Sequence, residues 1–374
     1  MMSQGMPAGR SSRGTDRVQL RARRHAAGIS IDTVADHARD VIAMAQGVAD
    51  GPHPPLSVRL PDLSVRVSSF DPDLAVAVAR QFVPAPPADG AARMRVFILH
   101  PGVAGVGPPL PWDRRRPCHP QRLATVLAQA GLQAAYFDDL EHWHILDHAS
   151  GVAVQLMRAP GDYPPWETGA PLRPFLHWHY AQAGQRLAHC GTLGVAGRGV
   201  VLAGGGGSGK SGTVIAGLMH GLQSVGDDYV LLDGGGTVTA RPLFATLKQD
   251  PAGFRRLRLG RVLGDDLPLN WQGKHQFTIM DVAPQPVPER LAIGALLVPQ
   301  VSGAGPSTIT PMPRTEAMIA LAASSIHQMP GERESGFRFL ADITRRLPCY
   351  RLALGPDPGE IAARIGAFIA TDMP

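Results

Sequence analysis

Gly204-Gly205-Gly206-Gly207-Ser208-Gly209-Lys210-Ser211 fits the spacing G-x-x-x-x-G-K-[ST]. Glycines at that density let a backbone wrap tightly with its N–H groups aimed inward, which makes a cradle for an anion. A helix starting at the end of such a loop adds the positive end of its dipole. In this pattern Lys210 reaches the β/γ-phosphates of a nucleotide, the Ser211 hydroxyl ligates Mg²⁺, and Gly212 continues the helix without a side chain. The chemistry expected is binding of ATP or GTP with Mg²⁺. Seventeen residues beyond Lys210, Gly226-Asp227-Asp228-Tyr229 sets two carboxylates side by side. Near a metal-bound nucleotide such a pair can divide metal binding and proton abstraction from an acceptor hydroxyl. Read alone, the pair is equally a turn or a cap, and a lone His189 reads as a core or turn histidine.

Lysine usage singles out two more positions. The chain has 36 basic residues, and only Lys210, Lys248 and Lys274 are lysine. Arginine serves on most surfaces, so a retained lysine marks a place where a compact ammonium on a flexible stem is wanted. Lys248 and Lys274 are therefore candidates to touch phosphate or acceptor from loops over the site. His142, His144 and His148 with Asp147 have the look of a metal cluster, since His-x-His puts both rings on one strand face, but no cysteine supports them and Asp147-His148-Ala-Ser-Gly151 reads as a turn. Ala134–Phe137 and Gly151–Arg158 read as strands around this His-rich turn.

The elements that must carry these residues follow from periodicity. Val200-Val-Leu-Ala203 predicts a strand into the loop and Ser211–His220 a helix out of it. Leu187–Val195 and Gly199–Ala203 read as strands joined at Gly197-Arg198-Gly199, and a further strand runs through Leu232. Leu172–Ala183 predicts a helix ended by Gly184 at C′. Later come a strand over Leu291–Val298, helices over Thr315–Ser325 and Phe337–Leu347, a strand over Tyr350–Leu354 and a last helix over Gly359–Ala370. Upstream, a helix over Ile29–Gly47, a hairpin or two successive strands over Leu56–Ser69, a helix over Asp71–Phe82, a strand over Met94–Leu99 and a helix over Gln121–Ala130 make a smaller α+β unit. The expected organisation is a basic disordered arm at 1–28, an N-terminal α+β domain at 29–158 and a second domain at 171–374, with the proline-punctuated Pro160–Pro171 between them.

Composition limits the function classes. The chain has 374 residues, 44% of them hydrophobic and 18% charged, which suits a folded chain with a sizeable core. No apolar run approaches the roughly 20 residues of a membrane span. The start lacks a secretory h-region, and the three cysteines cannot form an even disulfide framework, so a cytoplasmic protein is expected. The pI near 9.4 suggests nucleic acid. Yet six arginines against Asp16 in the first 25 residues supply +5, the whole formal charge. A basic nucleic-acid groove in the folded part is thus not supported.

Together, His189, Gly197, Gly199, Gly204–Ser211, Gly221 and Asp227-Asp228 resemble the HPr kinase/phosphorylase family of serine kinases. The closest likeness covers about 40 residues and runs from His189 to Asp228 without a gap, with looser similarity from Pro171 onward. The resemblance implies an α/β fold with a P-loop-containing, phosphoenolpyruvate-carboxykinase-like kinase domain beside the smaller N-terminal unit. It implies His189 as an active-site group, Lys210 as the phosphate lysine and Ser211 as the Mg²⁺ ligand. It further implies Asp228 as the base toward an acceptor serine, with Asp227 holding the metal or orienting the site. Leu172-Arg-Pro-Phe-Leu-His-Trp178 and Pro348-Cys-Tyr-Arg-Leu352 look more like divergent relatives, some of which act in peptide natural-product pathways, including lasso peptides. One departure is visible: the family's further Mg²⁺ ligand is a glutamate downstream of the Asp pair, and this chain has no Glu between Glu167 and Glu289. Asp250, Asp265 or Asp266 are the candidates to replace it. The expected activity is transfer of the γ-phosphoryl group to a Ser/Thr hydroxyl of a peptide or protein other than HPr. A small-molecule kinase, a nucleotide-gated binding module and a homo-oligomeric state stay open.

Overall fold

The computed structural model describes residues 28–48, 54–86, 92–116, 120–303, 305–327 and 333–373. The basic arm expected over 1–28 lies outside these, apart from Gly28. Two mixed sheets carry the chain. The first is built from β1 (Leu56–Leu60), β2 (Leu63–Ser69), β3 (Ala92–Leu99), β4 (Leu132–Phe137), β5 (His142–Asp147) and β6 (Val152–Leu156), in the order β1-β2-β3-β6-β5-β4. The β1–β2 hairpin turns at Pro61-Asp62, where Asp62 takes a left-handed φ of 57° that short polar side chains tolerate. Helix α1 (Val34–Gly47) and α3 (Pro120–Gln129) belong to this half, and α2 (Pro72–Arg80) starts where the Asp71 carboxylate accepts from Leu74 N at 3.1 Å.

Here one expectation holds only in part. The turn expected over Asp147–Gly151 is found at 148–151, but His142–Asp147 before it is an internal strand whose side chains are buried almost throughout. His142-Trp143-His144-Ile145 alternates polar and apolar side chains, but both faces are buried, so the alternation marks no solvent face. His142 and His144 lie side by side with ring centroids 5.0 Å apart, while His148 bonds Gln133. Among the described residues no group of three or more His, Cys, Asp or Glu could hold a metal ion.

Helix α4 (Arg173–Gln182) follows the proline-rich join and ends at Gly184, whose φ is 75°. Its Phe175, Leu176, Trp178 and Tyr180 pack on the first sheet, and the Tyr180 hydroxyl donates to Pro61 O at 2.7 Å. The second sheet contains β7 (Arg186–Ala188), β8 (Gly191–Val195), β9 (Arg198–Leu202), β10 (Val230–Asp233) and β11 (Thr239–Arg241). It is completed by β14 (Leu291–Val301), β15 (Thr308–Pro311) and β16 (Cys349–Leu354), while β12 (Thr246–Gln249) and β13 (His275–Thr278) form a separate ribbon. Strand β14 is central, parallel to β9 on one side and to β16 on the other. Helix α5 (Lys210–Met219) covers one face, and α6 (Pro251–Arg256) leads the excursion between β12 and β13. Helices α7 (Arg314–His327) and α8 (Arg333–Arg346) cover the other face, while α9 (Pro358–Ala367) packs beside α5.

The two sheets share a core. One apolar cluster runs from Val58 and Val96 through Phe175 and Trp178 to Tyr229 and Phe244. Phe82 stacks on Phe244 at 5.4 Å, and Val83 N bonds Leu243 O at 2.9 Å. The join between them therefore runs through packed structure, with Glu167 fully buried. No helix among the described residues is long and apolar enough to cross a membrane.

Candidate functional site

Strand β9 lies between β8 and β14 and delivers the chain to the loop, where Ala203 N still bonds Leu297 O at 2.9 Å. The loop then needs two left-handed residues, Gly207 at φ 81° and Gly209 at φ 94°. At Gly209 a Cβ would also land 2.4 Å from Leu354 Cδ1, so this position is closed to side chains on two counts. Helix α5 begins at Lys210 with no side-chain cap and no acidic residue in its first turn. Its leading N–H groups and dipole therefore face the cleft, in an arrangement suited to an anion. Gly205–Gly212 all line a cleft of roughly 840 Å³, with Gly204 buried beneath Ser208.

The acidic pair is held by a local network. Thr192 N, in β8, bonds Gly226 O at 3.0 Å, Val225 N bonds Thr192 Oγ1 at 3.0 Å, and Gly226 N bonds Ser224 Oγ at 3.1 Å. Tied down in this way, the chain passes Gly226 at φ 155° and Asp228 at φ 77°. Left-handed backbone at a non-glycine residue costs on the order of 1–3 kcal/mol and persists only where its surroundings enforce it. The twist sends the two carboxylates to different partners.

Asp227 points inward. It is 2% exposed, its Oδ1 lies 3.5 Å from Lys210 Nζ, and no hydrogen bond satisfies that oxygen. Burial alone disfavours the Lys210 ammonium, but the charges of Asp227 and Asp228 outweigh it and hold the pKa above its usual value. Asp228 faces the cleft. Its Oδ1 is 2.7 Å from His189 Nε2 and its Oδ2 accepts from Lys248 Nζ at 2.9 Å. Burial would raise this carboxyl, yet the His189 hydrogen bond and the Lys248, His189 and Lys210 charges hold it well below the ordinary carboxylate range.

His189 sits where a continuous Leu187–Val195 strand was expected. The structure breaks that strand at His189-Cys190, so β7 pairs with β10 and β8 with β9. The break frees the imidazole to turn toward Asp228, and the His189 backbone N–H is caught by Ser325 Oγ of α7 at 2.9 Å. Lys248 projects from β12, whose register partner is Gln276 of β13. Lys274 also lines the cleft, and its main chain is fixed by Asn270, which donates to Lys274 O at 2.7 Å and accepts from Lys274 N at 3.1 Å. His189, Gly205–Gly212, Asp227, Asp228, Lys248 and Lys274 thus border one cleft, with Gly204 just beneath it.

Of the candidates to replace the missing glutamate, Asp250 borders the cleft but spends one oxygen capping α6, accepting from Gly253 N at 2.7 Å. Asp265 and Asp266 do not line it; Asp265 packs against Gly260 instead. Several lining residues carried no sequence signal. Arg173 donates to the Tyr229 hydroxyl and lies over its ring, 4.7 Å from the centroid. Arg256 reaches the first turn of α5 near Gly212, and Trp166 and Trp271 also line the cleft. Their spacing in sequence spans more than a hundred residues, so only the spacing of Arg173 just after the proline-rich join could have drawn notice.

The donor set can be tested for Mg²⁺. A magnesium ion keeps several waters and takes one or two protein oxygens beside substrate phosphates. Ser211 at the start of α5 and the unsatisfied buried Oδ1 of Asp227 suit that demand, so the residues present fit. No protein-family model matches this chain, and no curated protein matches it.

Proposed function

We propose that the chain is an ATP- or GTP-dependent kinase that transfers the γ-phosphoryl group to a Ser/Thr hydroxyl of a peptide or protein. The observation that carries this reading is the meeting of Asp228 with His189 and Lys248, from three separate elements, in the cleft that holds the phosphate loop. The resemblance of residues 189–228 to HPr kinase/phosphorylase supports it. Phosphate binding by itself needs no such triad.

In this reading the loop N–H groups and Lys210 hold the nucleotide phosphates. Mg²⁺, held by Ser211 and Asp227 with phosphate oxygens, would supply neutralisation of charge on the phosphates. The acceptor oxygen forms a bond to the γ-phosphorus, the bond from that phosphorus to the β–γ bridging oxygen breaks, and its electrons leave with the nucleoside diphosphate. The hydroxyl proton passes to Asp228. A carboxylate held so far below its usual range takes this proton late, once bonding to phosphorus has acidified the hydroxyl, which agrees with a loose transition state. His189 and Lys248 keep Asp228 ionised and aimed.

Incubating the protein with γ-labelled nucleotide and cell extract tests the proposal. Label in a polypeptide supports it; label only in small molecules replaces it with a small-molecule kinase. A nucleotide-gated binding module is the second reading, favoured by the saturation of both Asp228 oxygens, and it predicts no turnover at all.

A further inference from the structure

Trp166 and Trp271 come from parts of the chain with no local reason to meet. Trp166 lies in the short turn Pro165–Glu167 of the join, and Trp271 in the excursion between β12 and β13. Their rings nonetheless approach edge to face, with centroids 6.5 Å apart and planes at 69°. Both line the cleft, and Trp271 stays 53% exposed. Indoles left open at the edge of a polar cleft offer apolar area with little conformational entropy to lose on binding.

The pair stands at the Asp228 end. Gln276 Nε2 donates to Thr168 O at 3.1 Å, which ties the two tryptophan-bearing segments together. At Gly169 a Cβ would fall 2.7 Å from Lys248 Cε, so the join presses directly on the lysine that holds Asp228. A γ-phosphoryl group poised for transfer must lie beside Asp228, and the nucleobase leaves from the opposite end of the triphosphate. The wall therefore meets the acceptor rather than the base. It is also braced from behind: Phe137 of β4 lies 6.4 Å from Trp166 and stacks on His142 of β5 at 4.8 Å.

We propose that Trp166 and Trp271 are the acceptor-recognition wall, buttressed by the N-terminal sheet, and that the acceptor is a peptide or protein segment whose hydroxyl residue is flanked by a large apolar or aromatic side chain. This rests on the kinase reading above. It assigns the first sheet a role in selecting substrate, through Phe137 and His142.

The test uses the full chain with Mg²⁺, γ-labelled ATP and serine nonapeptide libraries, each with one flanking position fixed and the rest degenerate. Label is expected to concentrate in libraries that fix Trp, Phe, Tyr or Leu beside the serine. Trp271→Ala and Trp166→Ala should flatten that preference and raise KM for the best library about tenfold, the order of a lost aromatic contact. Trp271→Phe should keep most of the preference, and the Kd for ATP, measured by calorimetry, should stay within about twofold in all three. Uniform labelling across libraries, or labelling of free serine as good as that of peptides, overturns the inference while leaving a kinase. Loss of ATP affinity in Trp271→Ala equal to the change in KM overturns it too, since the wall would then hold the base. Binding of ATP with no labelled library removes the kinase reading and the wall with it.

Discussion

Replacing Lys248 with Met keeps the length and bulk of the side chain but removes the ammonium 2.9 Å from Asp228 Oδ2. Two unit charges at that separation interact with about 6 kcal/mol at an effective dielectric of 20. Desolvation offsets much of this, and breaking a largely buried pair leaves about 3 kcal/mol. Asp228 is a group with a depressed pKa in the fold, so its ionised form dominates above that value and is lost as pH falls through it. Lys248→Met therefore moves the acid limb of the pH profile for phosphoryl transfer upward, toward neutral pH. The nucleotide Kd at neutral pH should change by less than about threefold, because Lys210 and the loop N–H groups remain. The assay is kcat/KM for transfer to a labelled peptide acceptor from pH 4 to 9, run beside nucleotide calorimetry. An acid limb that stays in place while activity drops uniformly would refute the reasoning, because Lys248 would then act on phosphate rather than through Asp228.

Gly209→Ala places a methyl 2.4 Å from Leu354 Cδ1 at a φ of 94°; it should weaken nucleotide binding by about tenfold or more and lower stability by about 1–3 kcal/mol, read by calorimetry and urea melts. Unchanged nucleotide affinity would mean the loop conformation is not the binding conformation. Glu167 is raised to about 7, first by burial and against the opposing Arg173 charge. The native state thus keeps a proton that the unfolded chain loses above its carboxylate pKa, so stability falls as pH rises from about 4.5 to 7, by about 3 kcal/mol in all. Glu167→Gln should remove that part of the pH dependence in urea midpoints at pH 5 and pH 8; parallel profiles for the two proteins would contradict it.

What was legible in the sequence was what is local. The phosphate loop is written in eight consecutive residues because a tight anion cradle must be made from one stretch of backbone, and Asp227-Asp228 follows one helix later for the same reason. Lysine scarcity pointed to Lys248 and Lys274 and both border the cleft, but composition could not say that Lys248 would pair with Asp228 through the β12–β13 ribbon. That ribbon escaped notice because the excursion between its strands carries no hydrophobic period. The break at His189-Cys190 was hidden in an apolar run that reads as one strand, although the break is what turns the imidazole to the site. Strand β5 was passed over although His142 and His144 alternate as a strand requires, because the turn at 148–151 lies close behind it. Trp166, Arg173, Arg256 and Trp271 belong to the site only through tertiary packing, which no window of sequence contains.

The central claim is that Asp228 serves phosphoryl transfer and not the holding of nucleotide. Asp228→Asn preserves shape and one of the two accepting oxygens while removing the proton acceptor, so one pair of measurements decides it: nucleotide Kd by calorimetry, and transfer of label to polypeptide in extract. The account predicts a Kd within about threefold of the parent and a loss of transfer of about 10²–10⁴-fold, the range for a lost general base. Equal losses of binding and transfer, or transfer that survives intact, would contradict it.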